Sequence, residues 1–287
     1  MSDNSSKTRN FYRIVYHQLL KRNIFALTGS IRVLPDFLVI GAKRCGTTSL
    51  FYHLPEHPCI SKSPHDNMGF FNDNFHLGIN WYKSFFPTIF TRNKIKSKFG
   101  DCITFDVTTT YMEEESTANN VCQTKPNMKI IVILRNPVDR AYSQYHLNVR
   151  EKVEKRSFED VIEENMNKLD KESRERHEIK PQFLAEKNNY LKKGLYAQQL
   201  RHWLKIFPRK NILIMSTEEF ESNQQTIYNK IFEFLNISQF EIKNTEKMEK
   251  GNYTSMESKT RNLLLDYFRS YNNELFKLID KKFDWEK

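Results

Sequence analysis

Glycine and proline are scarce in this chain: eight and nine among 287 residues, too few for a fibrous repeat or a disordered, linker-rich protein. Cysteine is scarce too. Cys45, Cys59, Cys102 and Cys122 form no C-x-x-C pair and no histidine stands at zinc-finger spacing, so neither a metal site nor a redox motif is expected. Unpaired spacing of this kind fits a reducing, cytoplasmic compartment better than a disulfide framework. No apolar run approaches the roughly 20 residues of a membrane span. The stretch from Phe11 to Pro35 mixes apolar with basic residues and lacks a small-residue cleavage site, so it is not read as a secretory signal. Residues 1–34 are expected to be a basic extension, either packed on the domain or touching a membrane surface peripherally. Self-similar periods and recognised nucleic-acid modules are also missing, which sets aside a solenoid and a nucleic-acid partner.

What is there is a 39% hydrophobic, 13% aromatic composition that can fill a sizeable core, and 45 basic against 35 acidic side chains. The net charge of +10 calls for an anionic partner, and its interleaving with acidic residues favours a small polyanion or an acidic glycan. Three short apolar runs, Phe37 to Ile40, Ile130 to Leu134 and Ile212 to Met215, end abruptly at polar or glycine residues and read as buried strands. Between them apolar residues recur at helical spacing, as in Leu200, Trp203, Leu204 and Phe207, and again in Ile227, Ile231, Phe234 and Leu235. Fully apolar strands alternating with amphipathic helices predict an α/β fold: three layers, a phosphate-loop-type parallel sheet flanked by helices, in one domain over 35–287. A charged helical excursion at about 150–193, opening at Ser157 and Asp160, reads as a solvated segment or as a flap over a substrate site.

The first strand runs into Gly41-Ala-Lys-Arg-Cys-Gly-Thr-Thr48 and then a helical pattern. A glycine-containing turn between a strand and a helix aims backbone N–H groups and a helix N-terminus at a phosphate. A nucleotide triphosphatase places lysine directly after the second glycine. Here that position is Thr47, and the cations, Lys43 and Arg44, lie inside the loop. A second motif, Ile130 to Leu147, puts Arg135 at the end of a strand, Pro137 at the start of a helix and Ser143 two turns in, where a guanidinium and a hydroxyl can converge on one phosphate. Arg140 in the same motif reads as a surface residue bridging to Asp139 or another acid.

With these two motifs in this order the chain resembles the 3′-phosphoadenosine 5′-phosphosulfate (PAPS)-dependent sulfotransferases, in particular the heparan sulfate enzymes and their microbial relatives. The resemblance covers about Pro35 to Trp285. It implies transfer of a sulfuryl group from PAPS to a hydroxyl or amine, with no metal. It implies that Lys43, Arg44, Cys45, Gly46, Thr47, Thr48 and Ser49 grip the 5′-phosphosulfate, with Arg44 against the bridging oxygen. Arg135 and Ser143 would hold the 3′-phosphate, and a loop of Lys250, Gly251, Asn252, Tyr253 and Thr254 would close over it. Relatives carry a catalytic glutamate shortly before a Phe-Phe or Tyr-Phe pair; aligned on Phe70-Phe71 that place holds Asn67, which cannot act as a base. Asp66 is the preferred substitute, with His65 and Asp106 as alternatives. The acceptor is expected to be a glycan, a glycolipid or a small alcohol. The competing readings are a phosphate-loop nucleotide kinase, with Asp106 holding magnesium, and a nonenzymatic polyanion- or nucleotide-binding protein.

Overall fold

The computed structural model describes residues 21–174, 189–244 and 253–286. Its centre is one parallel sheet in the order β2-β3-β1-β4-β5, built from β1 (Phe37–Gly41), β2 (Ile60–Lys62), β3 (Ile103–Val107), β4 (Lys129–Leu134) and β5 (Ile212–Ser216). All three expected strands are present. β1 and β3 are buried at every residue, as a strand covered on both faces must be. Register pairs Leu38 of β1 with Asp106 on one side and Ile130 on the other. The edge strand β2 has only three residues, running from buried to exposed, and so leaves no apolar run in the sequence.

Eleven α-helices accompany the sheet among the described residues: α1 (Lys21–Ala26), α2 (Thr47–His53), α3 (Ile79–Lys83), α4 (Ile89–Phe99), α5 (Glu115–Thr124), α6 (Pro137–Arg150), α7 (Phe158–Arg174), α8 (Tyr196–Ile206), α9 (Thr217–Ser222), α10 (Gln224–Leu235) and α11 (Ser258–Ile279). The main core lies between the sheet and its helices, where Phe37 stacks on Phe105 at 5.0 Å and Trp203 is fully buried. A second apolar cluster joins Val138 and Ala141 of α6 to Phe158 and Val161 of α7 and to Leu264 and Phe268 of α11. The segment expected to be a charged excursion therefore opens with a helix that buries an apolar face. Its start is capped as the sequence suggests, Asp160 N–H donating to Ser157 Oγ at 3.1 Å.

From β1 the chain moves to β2 and β3 on one side, and β4 and β5 lie on the other. The connections reverse direction between β1 and β4, which opens a crevice at the carboxyl ends of these two strands. Both phosphate-type motifs start there, one after Gly41 and one after Leu134. Gly194 helps to close the back of this region. A Cβ at that position would stand 2.8 Å from Pro137 Cβ, so only glycine lets the turn before α8 press against the start of α6.

Candidate active site

The first loop takes a sharp path because two of its residues lie in the left-handed region, Arg44 at φ 70° and Gly46 at φ 94°. Gly46 serves as the N-cap of α2, and its successors Thr47 and Ser49 are buried. Alternating handedness of this kind turns backbone N–H groups inward around an anion. Beneath the loop, Thr217 Oγ1 donates to Cys45 O at 2.8 Å and to Leu134 O at 2.9 Å, tying the first loop and the end of β4 to the start of α9. The Cys45 thiol faces the core, 3.8 Å from the Tyr196 hydroxyl, and burial pushes its pKa up to about 11. Cys45 supports the loop from below; its side chain does not line the crevice.

Arg44 and the second motif meet. Arg44 Nε donates to Ser143 Oγ at 3.2 Å, and Arg135 Nη1 approaches Arg44 O at 3.5 Å. Residues 99 apart in sequence thus place two guanidinium groups and a buried hydroxyl at one end of the crevice. Arg135 is braced by its own carbonyl, which accepts from Tyr196 Oη at 2.9 Å. Its neighbour Asn136 accepts from Val138 N through its side chain, capping α6, and donates through Nδ2 to Trp285 O. Glu218 completes the brace by accepting from Asn136 N at 2.8 Å and Trp285 Nε1 at 2.9 Å. Burial works against the Arg135 charge, but Cys45, Asp139, Tyr253 and Glu221 outweigh it and its pKa is raised.

Arg140 departs from the expectation of a surface bridge. It is completely buried, donates to Gln144 Oε1 at 2.6 Å and to Tyr190 O, and leaves Nε without a partner. Asp139 pairs instead with Arg261, at 2.7 Å. Burial lowers the Arg140 pKa, yet a guanidinium keeps its charge at any physiological pH, so positive potential persists behind the loop. Lys43 is half-buried beside the buried Lys193–Glu113 ion pair, 3.1 Å apart; burial and Lys193 push its pKa down while Glu113 pulls it back.

Of the third motif, Lys250, Gly251 and Asn252 lie outside the described residues. Tyr253 stacks on His146 of α6 at 4.3 Å, and Thr254 O accepts from Tyr142 Oη at 3.1 Å. The described end of the motif is therefore docked on the helix that carries Ser143.

In the segment before Phe70-Phe71, Asn67 adopts φ 52°, which asparagine tolerates, and its Oδ1 accepts from Thr109 N at 3.1 Å and Thr109 Oγ1 at 3.2 Å. Asp66 is partly exposed and accepts from Asn67 Nδ2 at 3.2 Å. Asp106 sits underneath, fully buried, with Oδ2 accepting from Tyr82 Oη and Tyr111 Oη at 2.8 Å each and Oδ1 from Thr108 Oγ1 at 2.9 Å. Burial raises its pKa to about 6 against the pull of these donors, and the nearby Asp66 charge adds to the rise. With all three donors in place and no exposed atom, Asp106 cannot reach an acceptor; its role here is to hold Tyr111, whose hydroxyl in turn accepts from Phe70 N at 2.8 Å and anchors the 66–71 loop. Phe70, Phe71, Tyr82 and Phe86 are core residues, Phe70 stacking on Tyr82 at 4.2 Å.

Sequence reasoning missed Tyr196, Thr217, Glu218 and Trp285 as braces of the two phosphate-type loops. The only local sign was the Ser216–Glu219 capping box after β5, which marks a helix start and not a partner. Among the described residues no group of three or more histidine, cysteine, aspartate or glutamate side chains is placed to hold a metal ion.

Comparison with known proteins agrees with this geometry. The chain is 25% identical over 90% of its length to the membrane-associated sulfotransferase kil1 of Dictyostelium discoideum, covering 68% of that protein. It is 30% identical, over 91% of its length, to human bifunctional heparan sulfate N-deacetylase/N-sulfotransferase 3, of which it spans only 31%. A sulfotransferase crystal structure from Alicyclobacillus acidocaldarius superposes with a TM-score of 0.68 at 26% identity, covering 89% of this chain and 100% of that one. The sulfotransferase domain family model matches residues 34–282. On that match, which takes in the sheet, both anion-directed loops and α11, the chain belongs to the sulfotransferase family and is a transferase of its kind.

Proposed function

We propose that PAPS is the donor, held with its 5′-phosphosulfate on the 43–49 loop and its 3′-phosphate at Arg135 and Ser143, with Lys250 to Thr254 closing over it. The observation that carries this reading is the convergence of Arg44, Arg135 and Ser143 at the switch point of the sheet. The residues present suit an anionic ligand: two guanidinium charges and a buried hydroxyl meet beside a left-handed loop, backed by the buried Arg140. When bound, the donor supplies a sulfuryl group whose bond to the bridging oxygen breaks as a bond to the acceptor oxygen or nitrogen forms.

This chain's own residues then have distinct tasks. Arg44 stabilises charge on the departing oxygen; as a guanidinium it does so without giving up a proton. Loop amides and the Thr47 and Thr48 hydroxyls offer donors to the peripheral oxygens, each worth on the order of 3 kcal/mol by analogy with an oxyanion-hole donor. Asp66, the partly exposed carboxylate at the mouth, takes the acceptor proton, while Asn67 holds the Thr109 turn. The acceptor is a glycan, a glycolipid or a small alcohol, a choice supported by the heparan sulfate relatives. Peripheral membrane contact through the basic N-terminal segment is supported by the name of the Dictyostelium relative, a membrane-associated sulfotransferase; no described helix is long and apolar enough to cross a membrane.

The test is a labelled-donor assay against a panel of glycans, glycolipids and small alcohols, with Arg44→Ala, Asp66→Asn and Asn67→Glu alongside. Arg44→Ala should abolish transfer to every acceptor, and Asp66→Asn should lower kcat by about 100-fold or more, the usual size of general-base catalysis. An unchanged kcat in Asp66→Asn would remove Asp66 from the base role. Stabilisation by ATP and magnesium but not by adenosine 3′,5′-bisphosphate would overturn the donor assignment.

A further inference from the structure

Helix α4 is unusual for a helix of a folded domain: none of its 11 residues is buried. It carries Arg92, Lys94, Lys96 and Lys98, has no acidic residue, and exposes Ile89, Phe90 and Phe99. A helix gains most of its stability in a protein from burying one face, so an uncovered helix with exposed apolar residues marks a surface that another body covers.

Its surroundings extend the same character. The segment from α1 to Val33 lies alongside: Arg32 Nη1 donates to Phe86 O at 2.7 Å, Val33 N donates to Pro87 O at 3.1 Å, and Arg32 forms a β-bridge with Thr88, the N-cap of α4. Gly29 is in turn pressed against Asn80 of α3. Ile24, Leu27 and Ile31 on the first segment, Leu77 and Ile79 at the start of α3, and Ile89, Phe90 and Phe99 on α4 are all exposed. These are eight of the twelve exposed large hydrophobic residues among the described residues, gathered on neighbouring segments; the other four are scattered.

Basic side chains lie there as well: Lys94, Lys96 and Lys98 are exposed on α4, while Arg92 is paired with Asp36. Residues 1–34 hold six basic side chains and one acidic one, and 89–99 hold four basic ones and none acidic, which together give nine of the chain's net ten positive charges. The other 242 residues hold 35 basic and 34 acidic side chains and are close to neutral. The charge of α4 lies away from the donor residues. Asp36, immediately before β1, pairs with Arg92 of α4 at 3.0 Å, which places α4 at the amino ends of the strands, opposite the crevice at their carboxyl ends. A five-residue strand separates those ends by roughly 15 Å. An acceptor bound at α4 would be remote from Arg44.

The apolar and basic residues of α4 are interleaved around the helix, but Phe90, Lys94 and Lys98, at i, i+4 and i+8, share one exposed side; on an anionic bilayer Phe90 and the exposed Leu27 would enter the headgroup boundary and the lysines would stay at the phosphates. We infer that the face formed by α4 and the Ile24–Ile31 turn docks on the surface of an anionic phospholipid bilayer, with the donor crevice turned away from it. This deepens the membrane contact proposed above, which named only the N-terminal segment, and rests on that reading; it does not depend on the identity of the acceptor.

The test is sedimentation of the full chain with vesicles of phosphatidylcholine containing 30% phosphatidylserine, against vesicles of phosphatidylcholine alone. Three variants are compared: Leu27→Asp with Phe90→Asp; Lys94→Gln with Lys96→Gln and Lys98→Gln; and Lys7→Gln with Arg9→Gln and Arg13→Gln. Binding should require phosphatidylserine, weaken with salt, and fall roughly fivefold for each lysine neutralised, about 100-fold for the α4 triple variant. The Leu27/Phe90 variant should lose binding, with its affinity for adenosine 3′,5′-bisphosphate unchanged as the check on folding. Binding lost only in the Lys7/Arg9/Arg13 variant would overturn the α4 face and leave the N-terminal contact standing. No binding to either vesicle would overturn both. Heparin retention lost in the α4 variants without vesicle binding, or a wild-type dimer that Phe90→Asp dissociates, would assign the face to a polyanion or to a second copy and overturn the inference.

Discussion

Replacing Ser143 by alanine separates the two anionic ends of the proposed donor. The hydroxyl is buried, 3.2 Å from Arg44 Nε, and sits on the helix that starts beside Arg135. If it donates to a 3′-phosphate dianion, its loss removes one charge-assisted hydrogen bond, worth about 1.5–3 kcal/mol. That converts to about 10- to 150-fold weaker binding of adenosine 3′,5′-bisphosphate. Adenosine 5′-monophosphate lacks the 3′ group and should lose no more than about twofold, because the loop and the Arg44 side chain remain. Isothermal titration of both nucleotides against wild type and Ser143→Ala reads the difference directly. Equal weakening of the two ligands would refute the assignment, since it would mean that Ser143 acts only by holding Arg44.

Gly46→Ala meets open space, its nearest neighbour being Ile133 Cδ1 at 3.9 Å, but forces alanine to φ 94°. It should cost about 1–3 kcal/mol in urea unfolding and weaken donor binding in parallel. Tyr111→Phe keeps the ring but removes the hydroxyl shared by Asp106 and Phe70 N; a buried amide left unpaired should cost about 1–3 kcal/mol, and transfer should slow as the 66–71 loop loosens. Unchanged stability would show that water replaces the hydroxyl. Asp106 makes a pH prediction. Its pKa is raised on folding from the ordinary 3.8 to about 6, so the stabilising contribution of its protonated form is full below pH ~4 and is lost as pH rises through ~6. The stability difference between wild type and Asp106→Asn should shift by roughly 3 kcal/mol across that window and be flat above it, as measured by unfolding at fixed pH.

The sequence by itself determined the features that local chemistry encodes. Apolar runs buried on both faces can only be internal strands, a glycine in a strand-to-helix turn needs no partner to adopt φ 94°, and Thr47 where a triphosphatase needs lysine is a statement about one position. Strands β1, β4 and β5, the first loop and the start of α6 were legible for that reason. The three-residue β2 was not, because a short edge strand buries too little to leave a pattern.

Only the tertiary structure decided which side chains meet and which charges are buried. Arg140 looks like a surface cation in sequence because a letter carries no solvent exposure; packing of α6 against the turn before α8 puts it wholly inside. Asp106 looked free to act on an acceptor until Tyr82, Tyr111 and Thr108 closed around it. The braces from Tyr196, Thr217, Glu218 and Trp285 come from elements 61 to 172 residues away along the chain from the loops they hold. Hydrogen bonds and desolvation act over a few ångströms in space without regard to separation in sequence, so contacts of that kind become visible only once the sheet order has brought their elements together.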